Sequence, residues 1–421
     1  MSEILKPFSK ILTGCCSEVL ETLADNSVDA IVTDPPYGLS FMGKKWDYDV
    51  PSVEIWRECL RVLKPGGHLL SFAGTRTQHR MAVNIEDAGF EIRDMLAWVY
   101  ASGFPKSLNI GKKVDQIQGN ERKVLGRDSS AYRENAIKNN TNFTHNAGFK
   151  PEGSGLITKG TSEFEGFGTA LKPALEPITL ARKPIEKGLS IAENCLKWGT
   201  GGINIDGCRV GTEFIPPQRQ GTDIRGGNYM GGTKKSEYIS TGNLGRFPAN
   251  LIHDGSQEVL ELFPMTKPHG KPSLNSSMGG VFGNGNTALS LNQFNDSGSA
   301  ARFFYCPKAS KAERNRGCEG LEERKSELNS GGIGRKISVE KRLADGDGVN
   351  APKSFNTHPT VKPIALMEYL VKLVSREGQT VLDPFAGSGT TGIACKNLNR
   401  NAILIEREAE YVEIAKCRIA V

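Results

Sequence analysis

"VLDPFAGSGTTG" (381–392) reads as a short apolar strand, a glycine-rich turn and the first turn of a helix. The helix continues through "SGTTGIACKNLN", and a second strand, "NAILIE" (401–406), follows and ends on Glu406. Gly387, Gly389 and Gly392 satisfy a G-x-G-x-x-G spacing. Glycine lets the backbone come close to a ligand, and a helix start presents N–H groups that have no partner within the helix. An acid at the end of the next strand can accept hydrogen bonds from two ribose hydroxyls. Strand, turn, helix and acid in this order point to a nucleoside-bearing cofactor. The plain alternative is a tight strand-to-helix turn that holds no ligand.

Two strands are too few for a sheet, and the rest of the pattern lies at the other end of the chain. In residues 1–100, strand-like "KILTG", "VDAIVTD", "HLLSFAG" and "FEIRDMLAWVY" alternate with helix-like "SEVLETLAD", "VEIWRECLRVL" and "TRTQHRMAVNIEDAG". Such alternation predicts crossover units and a mainly parallel sheet. Residues 101–350 are rich in Gly, Asn, Ser and Lys, broken by ordered-looking islands such as "ALEPITLARKP", "GLSIAENCLKWG" and "RFPANLIHDGSQEVLELFP". The expectation is an α/β, Rossmann-like sheet assembled from both ends (1–104 and 351–421), with 105–350 as a loop-rich insertion.

The second motif is "TDPPYGLSF" (33–41), directly after the apolar run "VDAIV". Two consecutive prolines neither continue a helix nor donate to a strand ladder. An acid, a stiff turn and an aromatic ring are thereby fixed at the end of a buried strand. This motif also bears on the cofactor. A dinucleotide domain opens on its glycine turn and adds strands downstream, whereas here fifteen residues follow Glu406. The remaining strands come from the N-terminal side, one of them carrying DPPY, which favours S-adenosyl-L-methionine over a nicotinamide.

With both segments in view, the sequence resembles the DNA methyltransferases that modify the exocyclic nitrogen of adenine or cytosine. The resemblance rests on Asp34-Pro35-Pro36-Tyr37, on Phe385-Ala386-Gly387-Ser388-Gly389 and on "HPTVKP" (358–363). Catalytic motif first, insert next and cofactor loop last is the order of the family's beta class. "SFMGKKWD", "GFPKS", "LKPALEPITLARKP" and "RFFYCPKASKAERN" resemble its phage and prophage branch.

The resemblance implies a catalytic set of Asp34, Pro35, Pro36 and Tyr37. Asp34 and the Pro35 carbonyl would hold the two amine hydrogens, and Tyr37 would stack on a base drawn out of the duplex. The cofactor set is Asp383, Phe385, Ala386, Gly387, Ser388, Gly389, Thr390 and Glu406, joined by Thr360 and Lys362, the latter facing the methionine carboxylate. Gly14-Cys15-Cys16 departs from the Gly-Asp often found near the cofactor adenine, so Cys15 stands where an acidic contact is usual. Met42, Lys44, Lys45 and Trp46 lie in the loop after the catalytic motif, and His358 reads as a structural or capping residue. Asp at the first motif position leans toward adenine N6, with cytosine N4 as the alternative. More distant alternatives are a protein-glutamine methyltransferase, a nicotinamide oxidoreductase and an inactive DNA-binding relic.

Composition sets the remaining bounds. At 421 residues, 38% hydrophobic and 24% charged, the chain can bury a substantial core. A net charge of +6 is compatible with double-stranded DNA as partner. Basic stretches such as "RKVLGRDSSAYRENAIK" make 105–350 the expected target-recognition region. The nine cysteines form no C-x-x-C pair, so neither a zinc ribbon nor a thioredoxin motif is indicated, and the family chemistry that the resemblance implies uses no metal. Cys306-Pro307 has the reverse order of the Pro-Cys nucleophile used in ring-carbon methylation. With no apolar run of membrane length, the expected location is the cytoplasm of a bacterial or phage-infected cell, near the nucleoid. A homodimer and a cognate restriction endonuclease are compatible with this reading.

Overall fold

Val28–Thr33 is buried along its whole length, as expected of a strand covered on both faces. It lies near the centre of the main sheet of the computed structural model. The structure describes residues 8–39, 47–101, 107–127, 156–215, 243–266, 298–305, 311–321, 324–325, 353–358 and 360–421. The strands of this sheet are β1 (Ser9–Thr13), β2 (Val28–Thr33), β3 (Leu63–Phe72), β4 (Glu91–Val99), β5 (Leu175–Arg182), β6 (Leu251–His253), β7 (Thr380–Asp383) and β8 (Asn401–Glu406). Their spatial order is β1-β8-β7-β2-β3-β5-β4-β6. The α/β architecture and the joining of both chain ends agree with the sequence expectation. Val381 of β7 pairs in parallel with Ala30 of β2, and Leu382 with Ile31.

The sheet is parallel except at β5, which runs antiparallel between β3 and β4. β5 and β6 come from the stretch 105–350, so the sheet's compact unit comprises Met1–Ala101, Leu175–Arg324 and Ser354–Val421. "LEPITLAR" forms a central strand because six successive residues, Pro177–Arg182, are buried. A short apolar run of this kind has no period that separates it from an ordered island in a loop. The second unit comprises Ser102–Ala174 and Lys325–Lys353. It contains a helix, Ile110–Gln118, capped by the Asn109 side chain, and an antiparallel pair, Lys123–Arg127 with Leu156–Lys159. Within it the largely buried Arg122 pairs with Asp115 and with Glu165.

Successive residues along the central strands serve opposite faces, as the pleat requires. Ile31, Leu69, Leu382 and Ile405 pack with Leu20, Trp56, Met81 and Ile85 of the helices Cys16–Glu21, Val53–Val62 and Gln78–Asp87. Ala30, Val32, Leu70, Val381 and Leu404 pack on the other face with Leu366, Leu370 and Ala394 of Ile364–Val374 and Thr390–Asn397. Connections leave β7 toward β8 but leave β2 toward β3, so the β7–β2 boundary is a topological switch point. Ligands of open α/β sheets bind in the crevice at the strand ends there.

At the other end of these two strands, the buried carboxylate of Asp29 accepts from Lys64 Nζ at 2.6 Å and from the Thr380 N–H at 2.8 Å. It thus ties the start of β2 to the start of β7. Asp29→Ala leaves both donors without this partner, and urea denaturation should register a loss of about 2–3 kcal/mol.

Candidate active site

Asp383 ends β7 and Thr33 ends β2, and Thr33 Oγ1 donates to Asp383 Oδ1 at 2.6 Å. The Phe385 N–H donates to the same oxygen at 3.1 Å, and Thr391 Oγ1 donates to Oδ2. The Asp383 carboxylate is thus turned inward, 2% exposed, and shapes the glycine turn from beneath. Burial raises its pKa to about 6, against the three donors, which favour the charged form.

The turn itself needs glycine twice. Gly387 has φ +51°, and a Cβ there would lie 2.7 Å from His358 Nε2. Gly389 has φ +78°, and a Cβ there would lie 2.8 Å from that of Ala415. Ala386 donates its N–H to the Ile405 carbonyl, and Phe385 packs edge-on against Trp56. Ser388 and Thr390 are nearly buried, and the Arg418 guanidinium donates to Ser388 O and Oγ at 2.7 Å and to Thr390 Oγ1 at 3.0 Å. Glu406 Oε2 accepts from the Gly387 N–H at 2.8 Å and Oε1 from the Glu408 N–H at 2.8 Å. Burial raises the Glu406 pKa against these bonds. Glycine cradle and carboxylate therefore face each other, which fits the ribose end of a nucleoside cofactor.

Cys15 follows β1, whose Thr13 pairs with Glu406, and the Gly14 N–H donates to the Glu406 carbonyl. The Cys15 thiol lies 3.0 Å from Ser17 Oγ, a contact that lowers its pKa. Thr360 is exposed, and its carbonyl accepts from His358 Nδ1. His358 packs edge-on against Tyr411, and burial lowers its pKa to about 4, so the imidazole is neutral at physiological pH.

The DPPY turn is held by Asp47. Its Oδ1 accepts from the Tyr37 and Gly38 N–H groups at 2.7 and 3.0 Å, and its Oδ2 from the Leu39 N–H at 3.2 Å. Thr77 Oγ1 donates to the Tyr37 carbonyl at 2.6 Å. Two prolines contribute no N–H, and the residues after them have theirs bound, so the turn is rigid. Lys362 Nζ donates to Asp34 Oδ2 at 2.8 Å and to the Tyr37 hydroxyl oxygen at 3.1 Å. Lys362 also lies 3.1 Å from Glu176 Oε2 and 4.8 Å from the centre of the Phe72 ring. Burial disfavours the ammonium, but Asp34 and Glu176 outweigh it and raise its pKa. Burial, then the same two carboxylates, holds the Tyr37 phenol well above its usual range.

The structure thus brings Asp34, Tyr37 and Lys362 together and gives Lys362 the carboxylates of Asp34 and Glu176 as partners within the protein. Sequence reasoning missed Glu176, Asp47, Tyr100 and Arg418. Glu176 directly precedes the buried run of β5, Pro177–Arg182, which was the one available signal for it. Met42, Lys44, Lys45, Trp46, Cys306 and Pro307 lie outside the described residues. Among the described residues no cluster of three or more His, Cys, Asp or Glu is placed to hold a metal. None of the described helices is long and apolar enough to cross a membrane.

Residues 28–141 and 298–417, together more than half of the chain, match the model of the N6/N4 DNA methylase family. The chain belongs to that family. It is 51% identical over 67 residues to the type II methyltransferase M.HpaI of Haemophilus parainfluenzae, covering 16% of this chain and 21% of that protein. It is 48% identical over 62 residues to M2.DpnII of Streptococcus pneumoniae, covering 15% and 23%. The matches therefore span under a quarter of either relative. Among solved structures, the cytosine-N4-specific PvuII DNA methyltransferase aligns over 98% of this chain and 86% of its own, at 13% identity and TM-score 0.43.

The Asp383 carboxyl has a folded pKa of about 6 against an ordinary 3.8. The fold therefore favours its protonated form, a contribution that is complete below the unfolded pKa and lost as pH rises through the folded one. Between pH about 4 and about 6 the wild type should lose on the order of 3 kcal/mol relative to Asp383→Asn, read from paired denaturation curves.

Proposed function

We propose that the protein transfers a methyl group from S-adenosyl-L-methionine to the exocyclic N6 of adenine in double-stranded DNA, without a covalent enzyme intermediate. The observation that carries this reading is the position of Asp34, one residue beyond β2 at the switch point, with the glycine turn following the neighbouring β7. Family membership supplies the reaction class.

The cofactor is held by the turn from Phe385 to Thr390, with Glu406 on the ribose hydroxyls and Cys15 near the adenine. When bound, it supplies an electrophilic methyl group on a sulfonium. The residues of this chain prepare the other reactant. An exocyclic amine is a poor nucleophile because its lone pair is delocalised into the ring. Asp34 and the Pro35 carbonyl accept its two hydrogens, which localises the lone pair, and the rigid turn keeps both acceptors in place before the reaction. The methylated nitrogen carries one proton too many, and the Asp34 carboxylate is placed to accept it. Tyr37 stacks on the flipped base, returning roughly 1–3 kcal/mol against the cost of unstacking. Segments of 105–350 read the DNA, with lysines and arginines on phosphates.

Asp34→Ala should abolish tritiated methyl transfer to DNA while leaving cofactor binding intact. Digestion of the product to nucleosides should yield N6-methyladenine, and N4-methylcytosine alone would overturn the adenine assignment. Glu406→Ala removes a charged acceptor, so calorimetric titration should show cofactor binding weaker by about 10-fold or more.

A further inference from the structure

The Tyr37 hydroxyl has one hydrogen and two carboxylates within reach. It lies 2.7 Å from Asp34 Oδ1 and 3.1 Å from Glu176 Oε2. Lys362 already donates to Asp34 Oδ2 and to the Tyr37 oxygen. Both Asp34 oxygens thus have donors from the protein itself. A carboxylate oxygen can take a second donor, but each donor already present withdraws charge from the acceptor that must localise the amine's lone pair.

Glu176 is held for the alternative bond. It is the second residue of β5, opposite Trp98 of β4, and its Oε1 accepts from the Tyr100 hydroxyl at 3.2 Å. Oε2 remains within reach of both Tyr37 and Lys362. Rotation about the Tyr37 C–O bond moves the hydroxyl hydrogen from one acceptor to the other without displacing the ring.

Resting on the assignment of Asp34 as the amine's acceptor, we infer that Glu176 is a positioning residue that takes the Tyr37 hydrogen when the target base enters, freeing Asp34 Oδ1 for the amine. The hydroxyl masks Asp34 while it donates to Oδ1, and Glu176 unmasks it. No covalent bond forms or breaks in this exchange, and one hydrogen bond replaces another. Phe at position 37 would keep the ring and remove the mask, so the role of Glu176 should vanish with the hydroxyl.

The test compares variants by tritiated methyl transfer from S-adenosyl-L-methionine to unmethylated genomic DNA amplified in vitro. Glu176→Met, similar in size and without an oxygen acceptor, should lower kcat by about 10- to 100-fold, the loss expected for one charge-assisted hydrogen bond. Its cofactor affinity should stay within about twofold of the wild type. Adding Tyr37→Phe to Glu176→Met should restore about 10-fold or more of kcat. Glu176→Gln, whose amide oxygen still accepts, should remain within a few fold of the wild type. Absence of rescue by Tyr37→Phe, or a Glu176→Gln variant as slow as Glu176→Met, overturns the inference. If Glu176→Met does not fold, Tyr37→Phe added to Glu176→Gln carries the same comparison. No gain supports the inference, and a gain overturns it. Activity retained in Asp34→Ala would instead overturn the proposed function itself.

Discussion

The carboxylate of Asp383 is the constraint on which the site depends. It receives Thr33 from the end of β2, Thr391 from the helix after the glycine turn and the N–H of Phe385 within the turn. One buried group therefore joins segments from the two ends of the chain and sets the shape of the glycine loop. Such a network stabilises a unique arrangement because any missing donor would leave a polar atom unsatisfied in a dry interior. The position of Asp34, one residue beyond Thr33, is inherited from this junction.

A second carboxylate does similar work for the DPPY turn. Asp47 gathers three consecutive N–H groups after the prolines, so the acid and the aromatic ring project from a turn whose backbone has no slack. The two loops differ in how rigidity is reached. The glycine loop is fixed by close contact, with no room for a Cβ at Gly387 or Gly389. The DPPY turn is fixed by hydrogen bonds and by the restricted torsions of proline.

Much of this was legible in the sequence because local signals coincide with the architecture. Strand, glycine turn, helix and acid occur within 26 residues (381–406), and the alternation in residues 1–100 predicted the N-terminal strands that join them in one sheet. β5 was not legible as part of the sheet, since a buried central strand has no alternation and it lies among loop-like residues. Glu176 was hidden with it. Its importance comes from the antiparallel register that sets it opposite Trp98, and register between distant segments leaves no mark in a single sequence. The partners of Lys362 were hidden for the same reason, because 186 residues separate it from Glu176 and 328 from Asp34.

The parallel pairing of Ala30 with Val381 has a consequence during synthesis. β2 can meet β3 as soon as that strand emerges, but its other edge waits for residues 380–383. At ribosomal rates of about 5–20 residues per second, that interval lasts on the order of tens of seconds. Throughout it an apolar strand presents unpaired backbone groups, the geometry that invites association between nascent chains. A protein ordered in this way exchanges a compact active site for a long vulnerable adolescence on the ribosome.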